Sequence, residues 1–258
     1  MGARARWVAA LLLVMPAGTA QAGEEPCLPC TWGALHELGS IRKLPSRQGA
    51  AARLVMGDAQ GLLHVLEERG PGFEEVWRSA YLEGAVSGVC VADVNVDDLL
   101  EIVVFTDRGR IHYFDAADYH VLWSSPPTAY ARFSAHTVAN VDDDPQPEFV
   151  LCTAGRLVVY DGHEHYEQWR SEEANLATTD ILVANVDGDE DLEIVLNDGY
   201  VFSARFRNLE WQSPEPFGER LGVLDLDGDG VLEVVGEFNG RFLRVFDIDL
   251  RRQKSLER

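Results

Sequence analysis

The chain has 258 residues, 46% of them hydrophobic, with 43 acidic against 22 basic side chains and a formal net charge of −21. That apolar fraction supports a sizeable core, in one large domain or two small ones. The charge argues against a nucleic-acid or anionic-membrane partner, because phosphate binding needs clustered Lys and Arg.

Arg4 and Arg6 precede an apolar segment from Trp7 to Met15, followed by Pro16, Gly18 and Ala20-Gln21-Ala22. This is the order of a secretory signal with an A-x-A cleavage site. Residues 1–22 are read as that signal, leaving a mature chain from Gly23 that is secreted or held in the periplasm or cell envelope. The apolar run is far short of the roughly 20 residues a membrane span needs, and no later segment is long or apolar enough to span.

Residues 23–47 form an N-terminal extension carrying Cys27 and Cys30 in a CLPC tetrad. The tetrad could be a local disulfide, a redox pair or half of a metal site. No second cysteine pair is available for zinc, and Thr31 stands where haem attachment requires His, so a structural disulfide is favoured. Cys90 and Cys152 lie inside apolar runs, GVCVA and FVLCT, and read as buried small hydrophobes.

Residues 48–258 repeat themselves. Acidic segments recur as ADVNVDDLLEIVV from Ala92, ANVDDDPQPEFVL from Ala139, ANVDGDEDLEIVL from Ala184 and LDLDGDGVLEVVG from Leu224, at spacings of 47, 45 and 40 residues. Tryptophans punctuate the copies at Trp77, Trp123, Trp169 and Trp211, and Gly61, Gly109, Gly155, Gly199 and Gly240 fall in short polar turns. Each copy reads as four short strands, placed in the second copy at Gly88–Ala92, Glu101–Thr106, Arg110–Asp115 and His120–Ser124. A period in the forties, with four strands and a terminal tryptophan, predicts an all-β propeller of about five four-stranded antiparallel blades.

The end copies depart from the pattern. In the first, Arg53 aligns with the glutamates of the later loops, while Pro45 and Gly49 replace their acidic partners, so no cation is expected there. In the last, no tryptophan strand follows Asp247. Either LRRQKSL supplies a poor fourth strand, or the segment around Trp32 pairs onto the last blade and closes the ring. Trp32 lies 45 residues before Trp77, in phase with the other tryptophans, which favours the second route.

The acidic segments carry the chemistry. In D/N-x-D/N-x-D-x-x-x-E, oxygen-bearing side chains alternate at positions one, three and five and an acid closes at nine. A hard cation such as Ca²⁺ takes about six to eight oxygens, and a tight loop can present them. The candidate ligands are Asp93, Asn95, Asp97 and Glu101; Asn140, Asp142, Asp144 and Glu148; Asn185, Asp187, Asp189 and Glu193; and Asp225, Asp227, Asp229 and Glu233. Up to four Ca²⁺ are expected, and charge count alone ranks the last loop above the second blade's loop. An EF-hand is excluded, because its closing Glu falls at twelve and helices flank it.

These loops, with the apolar strand after each, resemble the FG-GAP or VCBS repeat of the integrin α-subunit propeller and of many exported bacterial proteins. The resemblance runs from about Ala51 to Asp249 and implies a loop between the first two strands of a blade that binds calcium. Segments such as IHYFDAADYHVLWSS, from Ile111, resemble quinoprotein-like propellers only at blade level, with no cofactor signature. His112, His120, His136, His163 and His165 are scattered, HEH at 163–165 reads as a solvated turn, and the nucleophile elbow, phosphate loop and HExxH motifs are absent. The expected function is non-enzymatic, a binding or scaffolding module for an unidentified protein or glycan. Alternatives are a calcium-dependent polysaccharide lyase or hydrolase, or a quinoprotein-like envelope assembly propeller. A lectin would need one pocket repeated at the blade junctions, and Tyr81, Tyr130, Phe133 and Phe217 do not repeat cleanly.

Overall fold

A computed structural model describes residues 41–45 and 50–254. The signal segment, the tetrad with Cys27 and Cys30, and Trp32 lie outside the described residues. Each apolar run bounded by polar turn residues becomes a strand, and each set of four consecutive strands hydrogen-bonds into one antiparallel sheet. The first sheet holds β1 (Ile41–Leu44), β2 (Arg53–Gly57), β3 (Leu63–Arg69) and β4 (Gly72–Arg78). The second holds β5 (Val86–Ala92), β6 (Glu101–Thr106), β7 (Ile111–Asp115) and β8 (Val121–Ser124). The third holds β9 (Phe133–Ala139), β10 (Glu148–Thr153), β11 (Arg156–Asp161) and β12 (Tyr166–Arg170). The fourth holds β13 (Ile181–Ala184), β14 (Glu193–Leu196), β15 (Tyr200–Ser203) and β16 (Leu209–Gln212). The fifth holds β17 (Arg220–Leu224), β18 (Glu233–Phe238), β19 (Phe242–Asp247) and β20 (Arg252–Lys254). The five-blade, four-strand pattern read from the repeat is therefore the architecture, with strand ends in the second copy displaced by one or two residues. Among the described residues no helix is long and apolar enough to cross a membrane.

The recurrent W-x-S has a local cause. After each tryptophan the serine amide closes the outer hairpin by donating to the third strand's start: Ser79 to the Leu63 carbonyl, Ser125 to Ile111, Ser171 to Leu157 and Ser213 to Gly199, at 2.8 to 2.9 Å. In three blades the serine hydroxyl also accepts the amide of that strand, from Leu63, Ile111 and Leu157 at 2.9 to 3.1 Å. Trp77, Trp123, Trp169 and Trp211 stand opposite Val65, Tyr113, Val159 and Val201, and the register slips by one just beyond each pair. At the other hairpin, Gly109 has φ +74°, and a Cβ there would lie 2.7 Å from the Tyr130 carbonyl oxygen, so both backbone and neighbour demand glycine.

Packing explains why β6 and β10 are apolar between their first and last residues. β6 and β10 are buried at every position because each lies between two neighbouring sheets. Alternate side chains divide between the two neighbours. Ile102 and Val104 pack with Val55 and Val65 of the first blade, while Val103 and Phe105 pack with Phe149 and Leu151 of the third. Val150 and Cys152 in turn meet Ile194 and Leu196, and Val195 and Val201 meet Val234 and Phe246. Cys90 and Cys152 are members of separate cores, as small hydrophobes.

The ends of the array correct one expectation. Arg252–Lys254 pairs with β19, setting Asp247 against Arg252 and Val245 against Lys254, so the chain's own C-terminal segment takes the edge that had been given to the Trp32 segment. Edge pairing uses backbone groups, and three residues accomplish it without a tryptophan. The first sheet also begins at Ile41, upstream of the expected boundary at 48. Four cores join the five blades pairwise from first to fifth. On the fifth blade Leu224, Phe242 and Leu243 are exposed.

A candidate cation site in each acidic loop

The acidic segments connect the first and second strands of four of the five sheets, at one end of each: β5 to β6, β9 to β10, β13 to β14 and β17 to β18. The closing glutamate is the first residue of each second strand and stands opposite the last residue of the first: Ala92 against Glu101, Ala139 against Glu148, Ala184 against Glu193 and Leu224 against Glu233. Arg53 holds the same register position in the first blade, opposite Leu44, as the alignment indicates. Its guanidinium donates to the Tyr119 hydroxyl at 2.5 Å.

All four glutamates are buried, between 0% and 3% exposed. Each turns one oxygen, Oε2, beneath its loop to accept the amide of loop position two, from Val94, Val141, Val186 and Leu226, at 2.8 Å every time. The aspartate at position five accepts the amide of position seven, from Leu99, Gln146, Asp191 and Val231, at 2.7 to 2.9 Å. Asn140 and Asn185 tie their loops by donating to the carbonyls of Asp144 and Asp189, at 2.5 and 2.6 Å. The loops are thus frames closed by their own side chains.

Carboxylate oxygens of Asp142, Asp144 and Glu148 converge within 4.8 Å, as do those of Asp225, Asp227 and Asp229. In the fourth blade the converging set is Asp187, Glu193 and Glu210. Glu210 belongs to β16, outside the loop, and is a residue the loop pattern does not reveal. Its signal is its place immediately before Trp211: the residue in the same place before Trp169 is Gln168, which donates to Asp142 Oδ2 at 3.3 Å. Asp93, Asn95 and Asp97 remain bound up with their own loop, Asp93 accepting the amides of Asp97 and Asp98. In that loop Val96 and Asp98 have φ of +56° and +66°, conformations that the last blade gives to Gly228 and Gly230.

Burial pushes the Glu148 carboxyl up to about 7 and that of Glu193 up to about 8, with the neighbouring aspartates adding to it and the bonded amide opposing it. Glu101 is raised for the same reason. The remaining oxygen of Glu148, Oε1, is buried and has no hydrogen-bond partner. The blades differ in the cations they bring near. Arg207 Nη2 lies 3.7 Å from Asp142 Oδ2, and Arg205 reaches Asp143 and Asp191 at 3.6 and 3.2 Å. In the last blade Lys254 bonds to Asp227 and Glu233, and its hydrogen bonds hold the ammonium above the usual lysine range.

The scattered residues go elsewhere. His165 stacks on Trp123 with ring centroids 4.1 Å apart, so the HEH turn is only partly solvated, and His163 beside it is exposed. Phe133 and Phe217 are buried in inter-blade cores, whereas Tyr81 is exposed, so these aromatics form no repeated pocket.

Neither a family model nor a curated protein matches the sequence. The fold is similar to solved β-propellers. Sqt1 of Saccharomyces cerevisiae superposes with a TM-score of 0.59 at 11% identity, over 82% of this chain and 59% of that one. BBS1N, solved in complex with ARL6DN, gives 0.58 at 12%, over 83% and 67%. BamB of Moraxella catarrhalis gives 0.52 at 16%, over 81% and 61%. The chain therefore spans about three fifths of Sqt1 and of BamB.

Proposed function

We propose that the acidic loops bind calcium and that the protein is a calcium-stabilised propeller of the FG-GAP or VCBS type, exported from the cytoplasm, which binds another macromolecule without catalysing a reaction. The observation that carries the calcium reading is Glu148: a buried carboxylate with one oxygen bonded to Val141 and the other facing a cluster of aspartate oxygens with no protein donor. A buried carboxylate oxygen left without a donor is costly. A hard divalent cation relieves it, because all-oxygen donor sets suit calcium.

Each residue has a part in that reading. Of the closing glutamates, Glu101, Glu148 and Glu193, anchored through one oxygen, offer the other; the side chains at positions three and five supply further oxygens; Glu210 adds a carboxylate from the edge strand of the fourth blade. Bound calcium would hold its loop against the strand that follows it, and would offset part of the net charge of −21.

A protein partner is favoured over a glycan, because Phe133 and Phe217 are consumed by the cores and the exposed Tyr81 has no counterpart that would repeat a pocket. That BBS1N was solved in complex with ARL6DN supports protein binding by this architecture. The test is calcium content and calcium-dependent melting of the purified mature chain, followed by affinity capture from the exported fraction with and without calcium. A chain with no bound calcium and an unchanged melt in chelator would defeat the reading.

A further inference from the structure

We propose that Lys254 is the built-in occupant of the last blade's cation site, so that this loop, although it has the most carboxylates at the candidate ligand positions, takes up no divalent ion. The proposal rests on the reading of the other loops as calcium sites. Lys254 Nζ lies 2.7 Å from Asp227 Oδ2, 2.5 Å from Glu233 Oε1 and 3.5 Å from Asp247 Oδ2. These carboxylates come from the loop, the start of β18 and the end of β19. The ammonium has three donors and no acceptor, and three surrounding carboxylates match it.

Comparison with the third blade shows what the lysine changes. Glu148 has one bonded oxygen and one unpaired buried oxygen. Glu233 has the same amide bond to Oε2, from Leu226, and gives Oε1 to Lys254, so both its oxygens are satisfied within the chain. The oxygen that a divalent ion would use in the other blades is already taken. The acids of this loop, Asp225, Asp227, Asp229 and Glu233, also lose one unit of their combined charge to the ammonium.

The location of Lys254 is as particular as its contacts. It stands opposite Val245, the register position at which the other four sheets place Trp77, Trp123, Trp169 and Trp211. β20 is the shortest strand described, and its backbone pairs are with β19. An ordinary exposed ion pair contributes little to stability, because solvent screens it. Lys254 differs because one of its partners, Glu233, is 3% exposed and would otherwise carry an unpaired charge. The same side chain therefore fills the site and fastens the last strand to its blade.

Two sets of variants of the mature chain test this, with calcium stoichiometry by equilibrium dialysis and titration calorimetry. Lys254→Met removes the ammonium and keeps the stem; it should bind one more calcium than the native chain, while Lys254→Arg keeps the native stoichiometry. In chelator Lys254→Met should melt below the native chain, and calcium should recover most of that difference. Where Lys254→Met fails to fold, substitutions in the otherwise native chain decide: Asp229→Asn should leave the stoichiometry unchanged, and Asp144→Asn should lower it by one. Equal stoichiometry for the native chain and Lys254→Met, or loss of one calcium in Asp229→Asn, would overturn the proposal. A native chain that binds no calcium at all would instead sink the underlying reading of the loops, and this proposal with it.

Discussion

The Val141 amide donates to Oε2 of Glu148 at 2.8 Å, while Oε1 of the same buried carboxylate has no donor. That half-satisfied pair is the ground for the proposal that the loop receives a cation. Glu148→Gln should therefore have opposite effects with and without metal. With calcium present, affinity at this site should fall tenfold or more, about 1.4 kcal/mol. In chelator the variant should melt at or above the native chain, because the buried charge is gone. Calorimetric titration and paired melts check both signs.

Glu210 and Gln168 occupy the same place before their tryptophans and reach their blades' loops from the edge strand. Exchanging their chemistry should move affinity in opposite directions. Glu210→Gln should weaken the fourth blade's site, and Gln168→Glu should strengthen the third blade's. Lanthanide luminescence titration of the two variants resolves the change. No effect of Glu210→Gln would remove it from the ligand set.

Val96 holds a left-handed backbone, φ +56°, which costs a β-branched residue about 1 to 2 kcal/mol. Val96→Gly should raise the melting temperature in calcium, and the converse change in the last loop, Gly228→Val, should lower it. A Val96→Gly variant less stable than the native chain would show that the side chain contributes more by contact than its backbone costs.

His136 stacks on Phe105 with centroids 4.3 Å apart, and its ring lies where a Cβ on Gly88 would fall. Burial holds its pKa down to about 4; a backbone bond to Ser87 opposes this and the Arg42 charge adds to it. The unfolded chain, with a histidine near 6.5, takes up the proton first as pH falls. Stability is therefore lost between about pH 6.5 and 4 and is constant, as far as this group is concerned, above that window. His136→Gln should flatten the slope of melting temperature against pH in that window. An identical slope would assign the acid sensitivity to other groups.

How much of this was legible in the sequence follows from where each signal lives. The repeat, its strands, the tryptophans and Gly109 are local, and each maps onto a hairpin or a register position that the local residues dictate. The closing glutamates and the displaced Arg53 were legible too, because strand pairing preserves their offset. Glu210, Arg207 and Lys254 were not, since each approaches its loop from another strand or blade, and proximity across strands leaves no trace in loop spacing. β20 was discounted for lacking a tryptophan, although its pairing needs only backbone. The ranking of the last loop by charge count omitted the ammonium beside it.

The central claim is that calcium bound in these loops stabilises the blades that carry it. Its most direct test is the melting temperature of the mature chain in excess chelator and after calcium is restored, with elemental analysis of the same sample. The account predicts a marked fall in chelator, recovery with calcium, and bound calcium in the untreated protein. An unchanged melt from a protein that contains no calcium would contradict it.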